Sequence, residues 1–165
     1  MSLSDRRVVV LGLIAGTLSV SGCLRPMLAK DSTAVQLRHR IALPEIDGRF
    51  DYFLSKALAD RLGRPKNPDY RLDIVTEVSE QGLAIAQDNS VTRVTLLAQA
   101  SWALWRDGSS APLLTDNLEV QSGYNATTSL YATRQVRRDV ERRLARELGE
   151  RISRSILAQS GQLGA

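Results

Sequence analysis

The feature that most constrains the fold is a run of apolar residues at every second position between Val91 and Trp105. Successive side chains of a strand point to opposite faces, so this period of two predicts a strand with one buried face. An isolated strand of this kind is not stable, and it needs neighbouring strands and a covering layer. The apolar residues of one parity are Val94, Leu96, Ala98, Ala100, Trp102 and Leu104.

Three further segments are predicted to be strands. The first, Val35 to Leu43, alternates and ends at Pro44. The second runs from Tyr70 to Ser79, and the hairpin connection that follows, residues 80–90, could extend its pairing through residues 83–86. A glycine-containing turn over residues 106–110 joins the third strand to a fourth, from Leu113 to about Gly123.

Two helices are predicted from apolar residues at helical spacing. One covers about 49 to 62, with Gly63 as its C-cap. The other covers about Leu130 to Leu157, where the apolar residues step by four and form a row that slants around the helix. The fold class is therefore α+β: a four-stranded, mostly antiparallel or mixed sheet with two helices on one face, in the order β-α-β-β-β-α. The row consists of Ala132, Val136, Val140, Leu144, Leu148, Ile152 and Ile156.

The N-terminus has the pattern of an export signal. Arg6 and Arg7 precede an apolar run, residues 8–20, that is too short to span a bilayer. This pattern alone leaves open an ordinary signal peptide or a short membrane anchor. The next residues, Val20-Ser21-Gly22-Cys23, resemble a lipobox, which implies cleavage before Cys23 and lipid on its thiol. A thiol is a good nucleophile toward a lipid donor and gives a stable thioether. Several acyl chains together hold a protein stably on a membrane.

The predicted organisation is a signal peptide over residues 1–22, a lipidated tether over 23–33 and a single domain over 34–160. Removing 22 of the 165 residues leaves 143 and takes away Asp5, Arg6 and Arg7, so the net charge falls from +4 to +3. Cys23 is the only cysteine, so the domain must be stable without disulfides. Leu24 after the cysteine resembles an outer-membrane address in enteric-type sorting.

Motifs of catalysis are absent from the sequence: it has no G-x-S-x-G, H-E-x-x-H, Walker loop or dinucleotide fingerprint. His39 is the only histidine, and a lone histidine on a strand is more often structural than catalytic. We therefore expect no enzyme, no metal and no cofactor beyond the covalent lipid on Cys23. Export argues against a nucleic-acid partner.

The last predicted helix is rich in arginine, with eight between Arg134 and Arg154. These side chains could bind phosphates of lipid headgroups or lipopolysaccharide. The favoured alternative is a solvated face with i,i+4 ion pairs such as Glu147 with Arg151. Trp102, Trp105 and Tyr131 could mark an interface, although core packing explains Trp102 equally well.

Several short segments together resemble the LPS-assembly lipoprotein family, LptE, in its alphaproteobacterial form. The clearest is Ser129-Leu130-Tyr131-Ala132-Thr133 followed by the arginine-rich helix. The family's stretch after the lipobox appears here as residues 24–28, one residue shorter and without its tyrosine. The remaining segments are Asp47-Gly48-Arg49, Tyr70-Arg71-Leu72, Thr92-Arg93 and Tyr124-Asn125.

This resemblance implies a four-stranded sheet with two helices on one side, and no catalysis. It implies an outer-membrane protein, anchored by lipid on the periplasmic side, that sits one-to-one inside the lumen of an LptD-type β-barrel. There it would assist barrel assembly and take part in delivering lipopolysaccharide to the outer leaflet. An envelope lipoprotein that serves as adaptor of another secretion or transport complex is the alternative, and a lipid-anchored hydrolase is a third.

No motif of the family defines lipopolysaccharide contacts in this chain. Arg93 and Arg106 are the candidates, chosen for their charge and for their positions near strand ends.

Overall fold

The computed structural model describes residues 33–45, 47–85 and 91–163, without the side chains at 33, 83–85, 91, 92 and 162. The predicted signal peptide, almost all of the predicted tether and Cys23 lie outside the described residues. The predicted domain boundaries stay predictions.

The described chain forms a mixed four-stranded sheet in the order β1-β2-β3-β4. β1 pairs with β2 in parallel, and the other two pairings are antiparallel. This arrangement confirms the predicted α+β fold class. The elements are α1 (Thr33–Leu37), β1 (Ile41–Ala42), α2 (Arg49–Leu62), β2 (Tyr70–Ile85), β3 (Val91–Arg106), β4 (Leu114–Asn125), α3 (Leu130–Ala158) and a 3₁₀ turn (Ser160–Gln162).

The core lies between one face of the sheet and the helices. All six apolar residues predicted on one parity of β3 are buried, from Val94 to Leu104. The slanted apolar row of α3 covers them with five fully buried side chains, and α2 adds a second row. The side chains of opposite parity along β3 are exposed or half-buried, so the other face of the sheet is uncovered. The α3 residues are Val140, Leu144, Leu148, Ile152 and Ile156, and those of α2 are Leu54, Leu58 and Leu62.

Gly149 of α3 lies in close contact with α2. A Cβ at this position would lie 2.9 Å from the Ala57 Cβ and 3.2 Å from the Leu54 carbonyl oxygen. The missing side chain therefore lets the two helices pack backbone to backbone. One turn further along, the buried Ser153 hydroxyl donates to the Gly149 carbonyl at 2.7 Å, which satisfies a polar group that would otherwise be costly to bury.

The predicted first strand, Val35 to Leu43, is wrong except at Ile41 and Ala42. Thr33–Leu37 is helical, and only Ile41 and Ala42 pair with β2. The helix buries Ala34 and Leu37, a spacing of three that suits a helix facing a core. The physical reason is tertiary: α1 packs against the 3₁₀ turn and α3. His39, at φ 67°, then turns the chain.

The helix layer is shorter on one side because α2 has 14 residues and α3 has 29. The first turns of α3 extend past the beginning of α2. Two members of the predicted apolar row, Ala132 and Val136, are therefore not fully buried, and Val136 is 41% exposed. Leu130 and Tyr131 are more than 70% exposed. The same end of the sheet holds the β2–β3 hairpin, in which β2 pairs as far as Ile85 with irregular register after Gly82.

Candidate functional site

The uncovered face of the sheet, called here the open face, is polar. It consists of the residues of β2, β3 and β4 that point away from the helices. Glu77, Gln99 and Glu119 lie side by side across three strands, and the Gln99 side-chain amide donates to the Glu119 carboxylate at 2.9 Å. The main exposed apolar residue of this face is Val75, whose exposed fraction is 74%. Such a face suits water or a polar partner.

Trp105 is the one aromatic side chain of the open face within the described strands. It is half-buried, and the Arg71 guanidinium lies 5.6 Å from its ring centre. Arg71 also pairs with Asp73 at 3.0 Å. The Trp105 indole N–H is buried without a hydrogen-bond partner in the described structure. Trp102 differs, since it lies in the core at 3% exposure, and Tyr131 is exposed at the start of α3.

The two predicted lipopolysaccharide contacts lie at opposite ends of β3. The 13 residue steps from Arg93 to Arg106 span about 43 Å of strand. Both side chains are exposed. The Arg106 guanidinium donates to the Leu163 carbonyl oxygen at 3.2 Å and lies 6.0 Å from the Tyr70 ring centre. The structure therefore does not bring Arg93 and Arg106 together, and the two side chains cannot contact the same phosphate group.

A polar network on the helix-covered face of the sheet joins three elements, and the sequence patterns do not predict it. The Tyr124 hydroxyl of β4 donates to the Glu80 carboxylate of β2 at 3.0 Å. Arg137 of α3 reaches the other oxygen of Glu80 at 3.0 Å and Glu141 at 3.5 Å. Burial raises the pKa of Tyr124, and the hydrogen bond to the Glu80 carboxylate raises it further. The network fastens the overhanging start of α3 to the sheet.

The arginines of α3 are partly paired. Arg137, Arg142 and Arg151 form ion pairs with carboxylates, and the predicted pair of Arg151 with Glu147 is confirmed at 2.6 Å. Arg142 also stacks over the Phe53 ring at 5.1 Å. In the part of the chain that the structure describes, the remaining five have no side-chain ion pair; they are Arg134, Arg138, Arg143, Arg146 and Arg154.

His39 contacts backbone rather than another ionisable side chain. Its backbone N–H donates to the Leu62 carbonyl at 2.8 Å, and its ring Nδ1 lies 3.0 Å from the Arg64 carbonyl oxygen. The ring packs on Gly63, where a Cβ would come within 2.5 Å of it. His39 therefore fixes the end of α2. Residues 33–45, 47–85 and 91–163 contain no cluster of three histidine, cysteine or acidic residues that could hold a metal.

None of the helices in these ranges combines the length and apolar character needed to cross a membrane. The architecture is one found in solved bacterial lipoproteins. A protein of Caulobacter crescentus assigned as a lipoprotein is 23% identical to this chain, with a TM-score of 0.61, over 78% of this chain and 96% of its own.

Two other solved structures share the architecture. Rare lipoprotein B of Shewanella oneidensis is 14% identical with a TM-score of 0.61, over 76% of this chain and 98% of its own. A minor lipoprotein of Acinetobacter baumannii is 16% identical with a TM-score of 0.58, over 74% of this chain and 94% of its own. At these identities the likeness establishes the fold. No family model and no curated protein sequence matches the chain.

Proposed function

We propose that this chain is an outer-membrane lipoprotein, anchored through Cys23, that occupies the lumen of an LptD-type β-barrel and takes part in lipopolysaccharide transport. It would assist assembly of the barrel in a one-to-one complex. The observation that carries the proposal is the open face: a wide, uncovered and polar sheet surface on a domain that is already closed by its own core. The lumen of an outer-membrane barrel is polar, and a surface of this kind suits it.

Two further observations support the proposal. The segment Val20-Ser21-Gly22-Cys23 supplies a lipidation site ahead of the domain. The fold is shared with solved lipoproteins from three bacteria, and rare lipoprotein B is one of these lipoproteins.

Pull-down of the tagged full chain from native envelopes in mild detergent tests the partner. The expected result is a large outer-membrane barrel at equal stoichiometry, identified by mass spectrometry. A photo-crosslinking residue at Val75 or Gln99 of the open face should attach to this barrel. The matched control places the same residue at Arg143, on the exposed side of α3. Recovery of inner-membrane transporter subunits alone, or of no partner, would contradict the export role and favour an adaptor of another complex.

Replacement of the anchor tests the membrane assignment separately. The Cys23→Ser chain should carry no lipid by intact mass and should not be processed before position 23. The control is Ser21→Ala, which keeps a small residue in the lipobox and should stay lipidated. Fractionation of the wild-type protein with the inner membrane would contradict the outer-membrane location but not the lipidation.

A further inference from the structure

The chain enters the described domain at one end of its long axis. α1, whose first residue is Thr33, buries Ala34 and Leu37 against the 3₁₀ turn that follows α3. This is also the end at which β2 begins and β3 finishes. Cys23 precedes Thr33 by ten residues, which span at most about 35 Å when fully extended. A lipid on Cys23 would therefore keep this end within about 35 Å of the membrane surface, whereas the opposite end of β3 lies about 43 Å further along the strand. We call the end at which the chain enters the anchor-proximal end.

Three exposed segments are joined by backbone hydrogen bonds at the anchor-proximal end. The Lys66 N–H donates to the His39 carbonyl at 3.2 Å, and the Asp69 N–H donates to the Arg40 carbonyl at 2.9 Å. The Asp107 N–H donates to the Asp69 carbonyl, also at 2.9 Å. Residues 38–40, 64–69 and 106–107 therefore form one continuous surface.

This surface is cationic. Its basic residues outnumber its acidic ones by five to two, a net charge of +3 with His39 neutral. Arg40 is paired with Asp69. Arg38, Arg64 and Lys66 are exposed, and none of them forms an ion pair within the described ranges. The basic residues are Arg38, Arg40, Arg64, Lys66 and Arg106, and the acidic residues are Asp69 and Asp107.

The open face has a different charge balance, because its arginines Arg71 and Arg93 are outnumbered by Asp73, Glu77 and Glu119. The excess of positive charge on the sheet side is therefore confined to the end that the tether holds at the membrane. Two independent observations, the entry point of the chain and the charge of the surrounding surface, coincide.

We propose that the anchor-proximal end docks on anionic phospholipid headgroups of the leaflet that holds the Cys23 lipid. The inference rests on the lipidation in the proposed function and concerns the chain before it occupies a barrel lumen: β3 runs toward the membrane, and the β2–β3 hairpin and the start of α3 point away from it. A basic residue beside an anionic membrane surface favours contact by about fivefold. Loss of Arg38, Arg64 and Lys66 together should lower the ratio of docked to undocked protein by about 100-fold in low salt.

The test uses the lipidated chain, processed in cells and verified by intact mass, in vesicles of phosphatidylethanolamine with phosphatidylglycerol or of phosphatidylcholine alone. The single cysteine is blocked by lipid, so Asn67→Cys and Thr128→Cys each accept one fluorophore, at the anchor-proximal and opposite ends. A quencher on lipid headgroups should quench the label at position 67 in phosphatidylglycerol vesicles, and high salt should reverse it. The label at position 128 should stay unquenched.

The variant Arg38→Gln/Arg64→Gln/Lys66→Gln should reduce quenching at position 67 to the phosphatidylcholine level. Its matched control, Arg138→Gln/Arg143→Gln/Arg146→Gln, removes the same charge from exposed α3 positions and should leave quenching unchanged. Equal effects of the two triple variants, equal quenching of the wild type in both vesicle types, or quenching at position 128 would each overturn the proposal. Failure of the proposed function is distinguishable, because an unlipidated chain is detected by mass before reconstitution and a missing barrel partner leaves the vesicle result unchanged.

Discussion

Gly63 is the residue at which local backbone geometry and a tertiary contact impose the same requirement. Its φ of 79° and ψ of 161° fall in a region that glycine alone adopts readily. The His39 ring also occupies the space that a side chain would need. Gly48, at the other end of α2, has a similar backbone conformation, with φ 104° and ψ −175°, but open space around it. The two glycines therefore separate the cost of backbone strain from the cost of the contact.

Gly48→Ala should lower the free energy of unfolding by about 1–2 kcal/mol through backbone strain. Gly63→Ala should cost about 1–3 kcal/mol more, because the His39 ring must also move. Urea denaturation measures the unfolding free energies of both variants, provided that the dependence of the free energy on urea concentration has the same slope in each. In the double variant His39→Ala/Gly63→Ala the extra cost should largely disappear. Equal losses for Gly48→Ala and Gly63→Ala would show that the ring contact contributes nothing.

Tyr124 makes the domain less stable at alkaline pH. Its pKa in the folded protein is raised above 10.0, the ordinary tyrosine value, so the folded state binds the phenol proton more tightly than the unfolded state. The resulting stability is fully present below about pH 10 and is lost as the pH rises through the folded pKa. Tyr124→Phe should remove this loss while costing about 1 kcal/mol at neutral pH, from the lost hydrogen bond to Glu80.

Denaturation midpoints between about pH 9 and 11 measure this effect. The control is Tyr131→Phe, since Tyr131 is 74% exposed, and this variant should follow the wild-type curve at every pH. If the denaturation midpoint of Tyr124→Phe fell with rising pH as steeply as that of the wild type, other groups would be responsible for the loss of stability at alkaline pH.

The α2–α3 crossing is the contact between elements that a single methyl group can test. Gly149→Ala gains about 1 kcal/mol of intrinsic helix propensity. Against this, the new Cβ meets Ala57 at 2.9 Å and the Leu54 carbonyl at 3.2 Å. Backbone at the contact must move, so we expect a net loss of about 1–3 kcal/mol in unfolding free energy. Gly161→Ala, in open space, should be nearly neutral in the same urea titration. A Gly149→Ala protein as stable as the wild type would mean that the helices separate at little cost.

Elements with a long periodic pattern can be predicted from the sequence, and those held by tertiary contacts cannot. Six alternating apolar residues predict β3, and helical spacing predicts α2 and α3, because burial on one side imposes these periods. Residues 35–43 also alternate, yet a helix of five residues and a left-handed His39 replace most of that strand. The competing pattern, Ala34 and Leu37 at a spacing of three, is too short to identify without knowing that the 3₁₀ turn lies beside it.

At the scale of the whole molecule, the two ends of the long axis differ in composition and in packing. One end holds α1, the 3₁₀ turn and the cationic surface around Arg38, Arg64 and Lys66. The other holds the β2–β3 hairpin and the exposed first turns of α3. Charge near strand ends selects Arg93 and Arg106 as candidate contacts, but it does not show that they belong to different ends. Their separation follows from the length of the strand predicted between Val91 and Trp105, and the structure confirms it, because β3 runs from Val91 to Arg106.

This separation gives a prediction for lipopolysaccharide binding. If Arg93 and Arg106 each contact an anionic group, Arg93→Gln and Arg106→Gln should each weaken binding of purified lipopolysaccharide by about fivefold, equal to about 1 kcal/mol. Because about 43 Å of strand lies between them, the double variant should lose the sum of the two free energies, within about 0.5 kcal/mol. Binding isotherms of the four proteins at one salt concentration measure the coupling.

Arg143→Gln is the control for loss of one exposed positive charge, and it should change the affinity by less than either variant. Arg106→Gln also removes the hydrogen bond to the Leu163 carbonyl, so its melting temperature must be compared with that of Arg93→Gln before its affinity is interpreted. Additive losses would show that the two arginines contribute independently to the binding free energy. A coupling well above about 0.5 kcal/mol would mean instead that a conformational change links the two ends of β3, and the view of two independent ends would then be wrong.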